Sequence, residues 1–153
     1  MVNASTTLRS VEDALRSVIV SLIDAQRGYQ KLGETMKDDL LKNYFLAESL
    51  ICAQFRGDLE AVLHQEGMHV IVETGSVSGA IYHMWAGLQA KLHEGDHALL
   101  VTAEQAGGDT ARAYRDALDK ELPLPVRQLL SSQAAAIEDS HDYVKEARDS
   151  GAY

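Results

Sequence analysis

The sequence predicts an all-α protein built as a four-helix bundle. Apolar residues recur at intervals of three and four over four long segments, which is the period of an amphipathic helix. Turn-forming residues separate these segments near Lys37–Asp39, at Gly95, and at Pro123 and Pro125. A chain of 153 residues can bury one core without disulfides or a structural metal, so we expect a single domain over residues 1–153.

The first two long helices are predicted at residues 6–34 and 39–66. Ser5, Thr6 and Thr7 are N-cap candidates for the first helix, and the acids before residue 40 suit the start of the second. Glu48 falls on the inward face of the second helix, although burying a charged group there is unfavourable. The other inward positions are apolar: Leu8, Val11, Leu15, Val18, Leu22, Ala25, Tyr29 and Leu32, then Leu41, Phe45, Cys52, Phe55, Leu59 and Val62.

A short crossover helix is predicted at residues 77–93, between the second and third long helices. Its apolar residues Ile81, Trp85, Leu88 and Leu92 follow a helical spacing behind serine N-cap candidates. The preceding β-branched run at 70–72 has no partner strand in the sequence, so it predicts an extended connection. If the crossover helix runs back along the bundle, the second and third long helices are parallel, which is the ferritin-like topology.

The last two long helices are predicted at residues 96–122 and 125–148, separated by two prolines that remove backbone donors. Gly107 and Gly108 lie inside the third helix, where two glycines cost about 2 kcal/mol relative to alanine. Close approach of another helix, or a kink or pocket, would account for them. The inward positions are Leu100, Ala103, Gly107, Thr110, Tyr114 and Ala117, then Leu129, Leu130, Gln133, Ile137, His141 and Val144.

A glycine, serine and valine pattern followed by tryptophan and leucine runs from Gly75 to Leu92: Gly75, Ser76, Val77, Gly79, Ala80, Trp85, Leu88, Ala90 and Leu92. In this stretch, and more weakly over residues 7–148, the chain resembles a family of small, uncharacterised bacterial proteins with a ferritin-like domain of unknown function. The resemblance implies a ferritin-like fold. It implies no particular activity, because the family itself is uncharacterised.

The chemistry to test on such a fold is a carboxylate-bridged metal site. These sites take one Glu from each of two helices and a Glu-x-x-His motif from each of the other two. Glu138 and His141 have that spacing in the fourth helix, and Glu48 and Glu104 could add carboxylates from the second and third. The set is incomplete, because Ile51 stands where the second motif needs His, and Gln26 and Tyr29 stand where the first helix needs Glu.

Each of these residues also has a purely structural interpretation. Glu48 could be satisfied by a polar neighbour, Glu138 and His141 could be a helix-face pair, and Glu104 could be a solvated flank. Trp85 is expected to fill a core and Cys52 to act as a small apolar filler. Two further Glu-x-x-His spacings, starting at residues 66 and 94, straddle glycines at helix ends, where the two residues need not share a face.

The composition excludes several classes of function. A formal net charge of −9 without a basic cluster argues against nucleic-acid binding. No apolar run is long enough to span a bilayer, no secretory signal begins the sequence, and a lone Cys52 suits a reducing compartment, so we expect a cytoplasmic protein. No phosphate-binding glycine loop, nucleophile elbow or paired-cysteine zinc motif is present.

Three hypotheses follow, and the first two come from different classes. The favoured one is a structural or interaction module without a cofactor or a complete di-metal site, for which a homo-oligomer formed through an apolar helix face is one form. The alternative is an iron or manganese protein with oxidase or metal-storage activity, whose ligands are Glu48, Glu104, Glu138 and His141. Binding of a small ligand between the helices is a third. The sequence favours a protein without enzymatic activity, but it does not decide between an enzyme and a non-enzyme.

Overall fold

The computed structural model describes residues 4–70, 72, 91 and 93–153. Four long α-helices form this part of the chain: α1 (Ala4–Thr35), α2 (Asp39–Gln65), α3 (Asp96–Leu118) and α4 (Leu124–Asp149). No strand occurs within the described residues, so the protein is an all-α helical bundle, as the sequence predicts. The predicted crossover helix at 77–93, with Trp85, lies almost wholly outside the described residues.

Local chemistry explains where α2 begins and ends. The Asp38 side chain accepts a hydrogen bond from the Leu41 amide at 3.0 Å, which caps one of the free amides of the first turn. At the other end Gly67 has a φ of 71°, and its amide and that of Met68 donate to the carbonyls of His64 and Leu63. This is a Schellman motif, in which glycine adopts the left-handed conformation without strain.

Helix α1 begins at Ala4, so Ser5–Thr7 lie inside its first turn and not before it. Helix α3 ends at Leu118, four residues before the predicted Leu122. There the Arg127 guanidinium donates to the carbonyls of Leu118 and Lys120, which satisfies acceptors left free by the helix end. Pro125 then occupies the first turn of α4, where a missing amide proton is tolerated.

The helices alternate in direction around the bundle. Helix α1 packs on α2 and α3, and α4 packs on α3 and α2. The amides of Lys37 and Asp38 both donate to the Asp96 carboxylate at 2.9 Å, so α3 begins where α1 ends. At the opposite end Lys120 donates to Ser10. Because α2 also begins at that end, helices α2 and α3 run parallel.

The core lies along the bundle axis and is apolar, and it includes most of the predicted inward positions. Leu15, Leu22, Phe45 and Leu59 are fully buried, as is Tyr114 in α3. Leu8 is an exception, since its side chain is 51% exposed. It lies beyond Ser10, the residue of α1 that Lys120 contacts just after the end of α3. Gly33 lets α1 and α2 approach closely, since a Cβ there would lie 2.6 Å from the Leu46 side chain.

Candidate functional site

Helix α4 carries several of the polar side chains that are buried or partly buried in the bundle. Gln133 and Ser140 are buried among apolar neighbours, and His141 is partly buried. Because Ser140 and His141 are adjacent on a helix, their side chains diverge by about 100° and meet different neighbours. Ser140 contacts α2, whereas His141 contacts α3. The candidate site therefore has two halves, which we call the α2 side and the α3 side.

The α2 side is a network of hydrogen bonds centred on the Ser140 hydroxyl. Ser140 Oγ lies 3.0 Å from Glu48 Oε2 and 2.8 Å from the Tyr44 hydroxyl, and it also bonds the Tyr29 hydroxyl. A serine hydroxyl has one proton to donate and two lone pairs. Donation to Glu48 and acceptance from both tyrosines satisfy that capacity in full.

Burial shifts the titration of this network. Removal from water is the main cause that raises the pKa of Glu48, and the hydrogen bond from Ser140 partly offsets it. Burial also raises the pKa of Tyr29 and of Tyr44 far above the ordinary value of 10.0. Burial, together with the nearby Glu48 carboxylate, raises the pKa of Cys52 to about 12, so this thiol is protonated and unreactive at neutral pH.

Gln133 forms a second polar bridge across the core, about two helical turns from Ser140. Its amide oxygen accepts a hydrogen bond from the Tyr114 hydroxyl at 2.9 Å, and its amide nitrogen donates to the Phe55 carbonyl at 3.0 Å. One side chain of α4 thereby joins α3 and α2. Since Tyr114 is fully buried, this bond satisfies a hydroxyl that water cannot reach.

The α3 side is ionic. His141 Nε2 lies 3.1 Å from Glu104 Oε1, and the Arg148 guanidinium lies 3.0 Å from Glu104 Oε2. Both oxygens of the Glu104 carboxylate are thus engaged by α4. Further out, Arg115 pairs with Glu138 at 2.7 Å in an exposed salt bridge.

The paired glycines of α3 lie beneath this ionic cluster. A Cβ built on Gly107 would lie 3.4 Å from the His141 ring and 3.6 Å from the Tyr29 hydroxyl, and one on Gly108 would lie 3.5 Å from His141 Nε2. These are ordinary contact distances. The imidazole of His141 in α4 packs over the two glycines, but an added Cβ would meet it at an ordinary distance, so this contact does not by itself require glycine at either position.

The four residues predicted as metal ligands fall into three separate sets of contacts. Glu104 and His141 touch one another, Glu48 lies on the α2 side with Ser140, and Glu138 points outward to Arg115. Within the described ranges, no three His, Cys, Asp or Glu side chains form a group that could hold a metal ion. The Glu104 and His141 pair supplies two ligands, whereas protein metal sites ordinarily take three or four.

The sequence analysis did not point to four residues of the site: Arg115, Arg148, Ser140 and Tyr44. Arg148 lies seven residues after His141, so helical periodicity places both on one face, and that signal was available. Ser140 lies between the inward Ile137 and Val144 at helical spacing, which also marks an inward position. Tyr44 has the same spacing between the inward Leu41 and Glu48, but its contact with Ser140 depends on how α2 and α4 are aligned.

Comparison with known proteins identifies a family but no activity. The sequence profile of a family described as Domain of unknown function (DUF2383) matches residues 10–120, which is most of the chain. No curated protein matches the sequence. In the part of the chain that the structure describes, no helix is both long enough and apolar enough to cross a membrane.

Proposed function

Because the chain belongs to the DUF2383 family, whose description names no activity, we propose a function from its geometry: a metal-independent helical bundle that serves as a structural or interaction module. The observation that carries this proposal is the separation of Glu48, Glu104, Glu138 and His141 into three sets of contacts. Each carboxylate already has a protein partner that supplies charge or hydrogen bonds.

The chemistry of the donors supports this interpretation. Two bridged metal ions need several carboxylates directed at one point, with imidazoles beside them. Here the Arg148 guanidinium neutralises Glu104, and Arg115 neutralises Glu138, so each carboxylate is paired with a cation from the protein itself. On the α2 side Glu48 accepts a hydrogen bond from the Ser140 hydroxyl, and burial raises its pKa, which disfavours the charged form that a metal ion would need.

The alternative remains an iron or manganese protein with oxidase or storage activity that uses the same four residues. One contact favours it: the 3.1 Å approach of His141 to Glu104 already joins an imidazole to a carboxylate. For this alternative, Glu48 and Glu138 would have to leave their present partners and turn toward that pair.

Metal binding separates the two hypotheses. We expect protein purified without chelator to contain far less than one equivalent of iron or manganese, and its Tm to stay constant when manganese(II) or iron(II) is added. A bound ion at 100 times its Kd would stabilise the fold by about 2.7 kcal/mol, which a thermal melt detects readily. Retention of one or two equivalents that are lost in Glu104→Gln, but kept in the exposed control Glu146→Gln, would overturn the proposal.

A further inference from the structure

The outward face of α2 is uncharged over several turns. The structure describes all of α2, and every exposed residue of this helix from position 43 to position 57 is neutral: Asn43, Leu46, Ala47, Leu50, Ile51, Gln54 and Gly57. Leu40 extends the apolar part by one turn. We call this surface the α2 face. Surface helices ordinarily present charged residues to water, and this chain carries a net charge of −9, so a neutral face is unexpected.

The α2 face also exposes large apolar side chains. Leu40 and Leu50 are 73% exposed, and Leu46 and Ile51 are 37% exposed. These four make up half of the eight large apolar side chains that are exposed within the described residues. A continuous apolar surface of this kind marks an interaction site more often than isolated apolar residues do.

The order of residues on the α2 face is close to two-fold symmetric about the midpoint between Glu48 and Ser49. Asn43 and Gln54 are equally distant from that point, as are Leu46 and Ile51, and Ala47 and Leu50. Such a pattern matches itself when a second helix runs in the opposite direction. A two-fold interface uses the same patch on both subunits, so the patch must be complementary to itself, and this order of residues meets that condition.

We propose that the α2 face binds the α2 face of a second copy of this chain, with the two helices antiparallel. This inference rests on the proposed role as an interaction module and names its partner. In the dimer Leu46, Ala47, Leu50 and Ile51 of both copies form the apolar centre. The side-chain amides of Asn43 and Gln54 lie opposite one another at both ends.

Charge favours a second copy at this face. Two molecules that each carry a net charge of −9 repel, so they approach most easily where neither presents a charge. An antiparallel arrangement also sets the opposite ends of the two helix dipoles side by side. A membrane surface fits less well, because helices that bind it are flanked by free Lys and Arg. Near this face Lys42 donates to the Gly33 carbonyl and Arg56 is paired with Glu60.

The α2 face is one helix wide, so the dimer should be weak. Stable interfaces bury about 800 Å² on each partner, and a single helix face provides less than that. We expect a dissociation constant on the order of micromolar, so the monomer and dimer exchange over an accessible concentration range.

Sedimentation velocity of the full chain between about 1 and 200 µM tests the proposal. The wild-type protein should shift from monomer toward dimer as its concentration rises. Leu50→Glu should weaken the dimer at least tenfold, because two carboxylates would be buried at the centre of the interface. Leu124→Glu is the matched control, since Leu124 is 65% exposed on α4, away from the α2 face, and its dimer should persist. A wild-type monomer at all concentrations would overturn the proposal.

A pair of double variants tests the antiparallel orientation without touching the core. Asn43→Lys combined with Gln54→Glu places opposite charges across both ends, so the dimer should tighten and become sensitive to salt. Asn43→Lys combined with Gln54→Lys places like charges there and should weaken it, although the added lysines reduce the net negative charge. Equal effects of the two variants, or the reverse order, would overturn the orientation. The dimer is tested by sedimentation, whereas the metal-independent function is tested by metal content. A failure of one proposal can therefore be told from a failure of the other.

Discussion

The two sides of α4 meet their neighbours through different chemistry. Toward α2, the buried Ser140 and Gln133 form hydrogen bonds with the Glu48 carboxylate, the Tyr44 hydroxyl and the Phe55 carbonyl. Toward α3, Arg115 and Arg148 form ion pairs with Glu138 and Glu104 that remain partly exposed. The ion pairs involve full charges, yet water and salt screen them.

This difference indicates which contacts hold the bundle together. A buried hydrogen bond contributes a modest net free energy, but the loss of one partner leaves the other group desolvated and unsatisfied. An exposed ion pair that loses one partner simply returns the other to water. We therefore expect the hydrogen-bonded α2 side and the Gln133 bridge to dominate stability, although the charged α3 side contains three of the four residues that the sequence predicted as metal ligands.

The largest effect is expected from Gln133→Ala. This change removes the acceptor of the buried Tyr114 hydroxyl and leaves a cavity, so the free energy of unfolding should fall by about 3 kcal/mol. Chemical denaturation measures this change, and the exposed Gln128→Ala on the same helix is the control. The double variant Tyr114→Phe with Gln133→Leu should recover much of the loss, since both polar partners are then removed. A loss no larger than that of Gln128→Ala would contradict the bridging role.

The next largest effect is expected from Ser140→Ala. It deprives the Glu48 carboxylate of a donor and the hydroxyls of Tyr44 and Tyr29 of an acceptor, so we expect a loss of about 2 kcal/mol. The exposed Ser132→Ala, on the same helix, should change stability by less than about 0.5 kcal/mol. If Ser140→Ala and Ser132→Ala have the same free energy of unfolding, the network does not contribute to stability as we infer.

Glu48→Gln should have a smaller effect that depends on pH. Because burial raises the pKa of Glu48 in the folded protein, folding favours the protonated carboxyl, and its contribution to stability is lost as pH rises through the folded pKa. The amide introduced by Glu48→Gln cannot ionise, so this variant should be more stable than the wild type near pH 8. The advantage should shrink as pH falls toward the ordinary pKa of 4.5. Thermal melts across this range would reveal a pH-independent difference if the inference is wrong.

The smallest effect is expected at the exposed pair of Arg115 and Glu138. Their side chains are 59% and 40% exposed, so a double-mutant cycle with alanine should give a coupling energy below about 0.5 kcal/mol. The coupling should vanish in about 1 M salt, where the screening length is roughly 3 Å. A coupling that exceeds the loss in Ser140→Ala would reverse the order of the two sides of α4.

Much of the fold was predictable because helical periodicity is local. The inward residues Leu22, Phe45 and Tyr114 follow from spacing alone, and each is fully buried. The candidate site was less predictable. Glu48 was identified as an inward carboxylate with an open choice between a metal and a polar partner, and its Ser140 partner lies 92 residues away in the chain.

The sequence by itself determined that four amphipathic helices form, and residues such as Asp38 and Gly67 mark where α2 begins and ends, because period and capping act within a few residues. Only the tertiary structure decided how far each helix slides along its neighbours. That axial offset pairs Glu104 with His141 and Arg148, directs Glu138 toward Arg115, and brings Glu48 to Ser140. Periodicity assigns a residue to a face, whereas packing between helices sets the level at which it meets its partner.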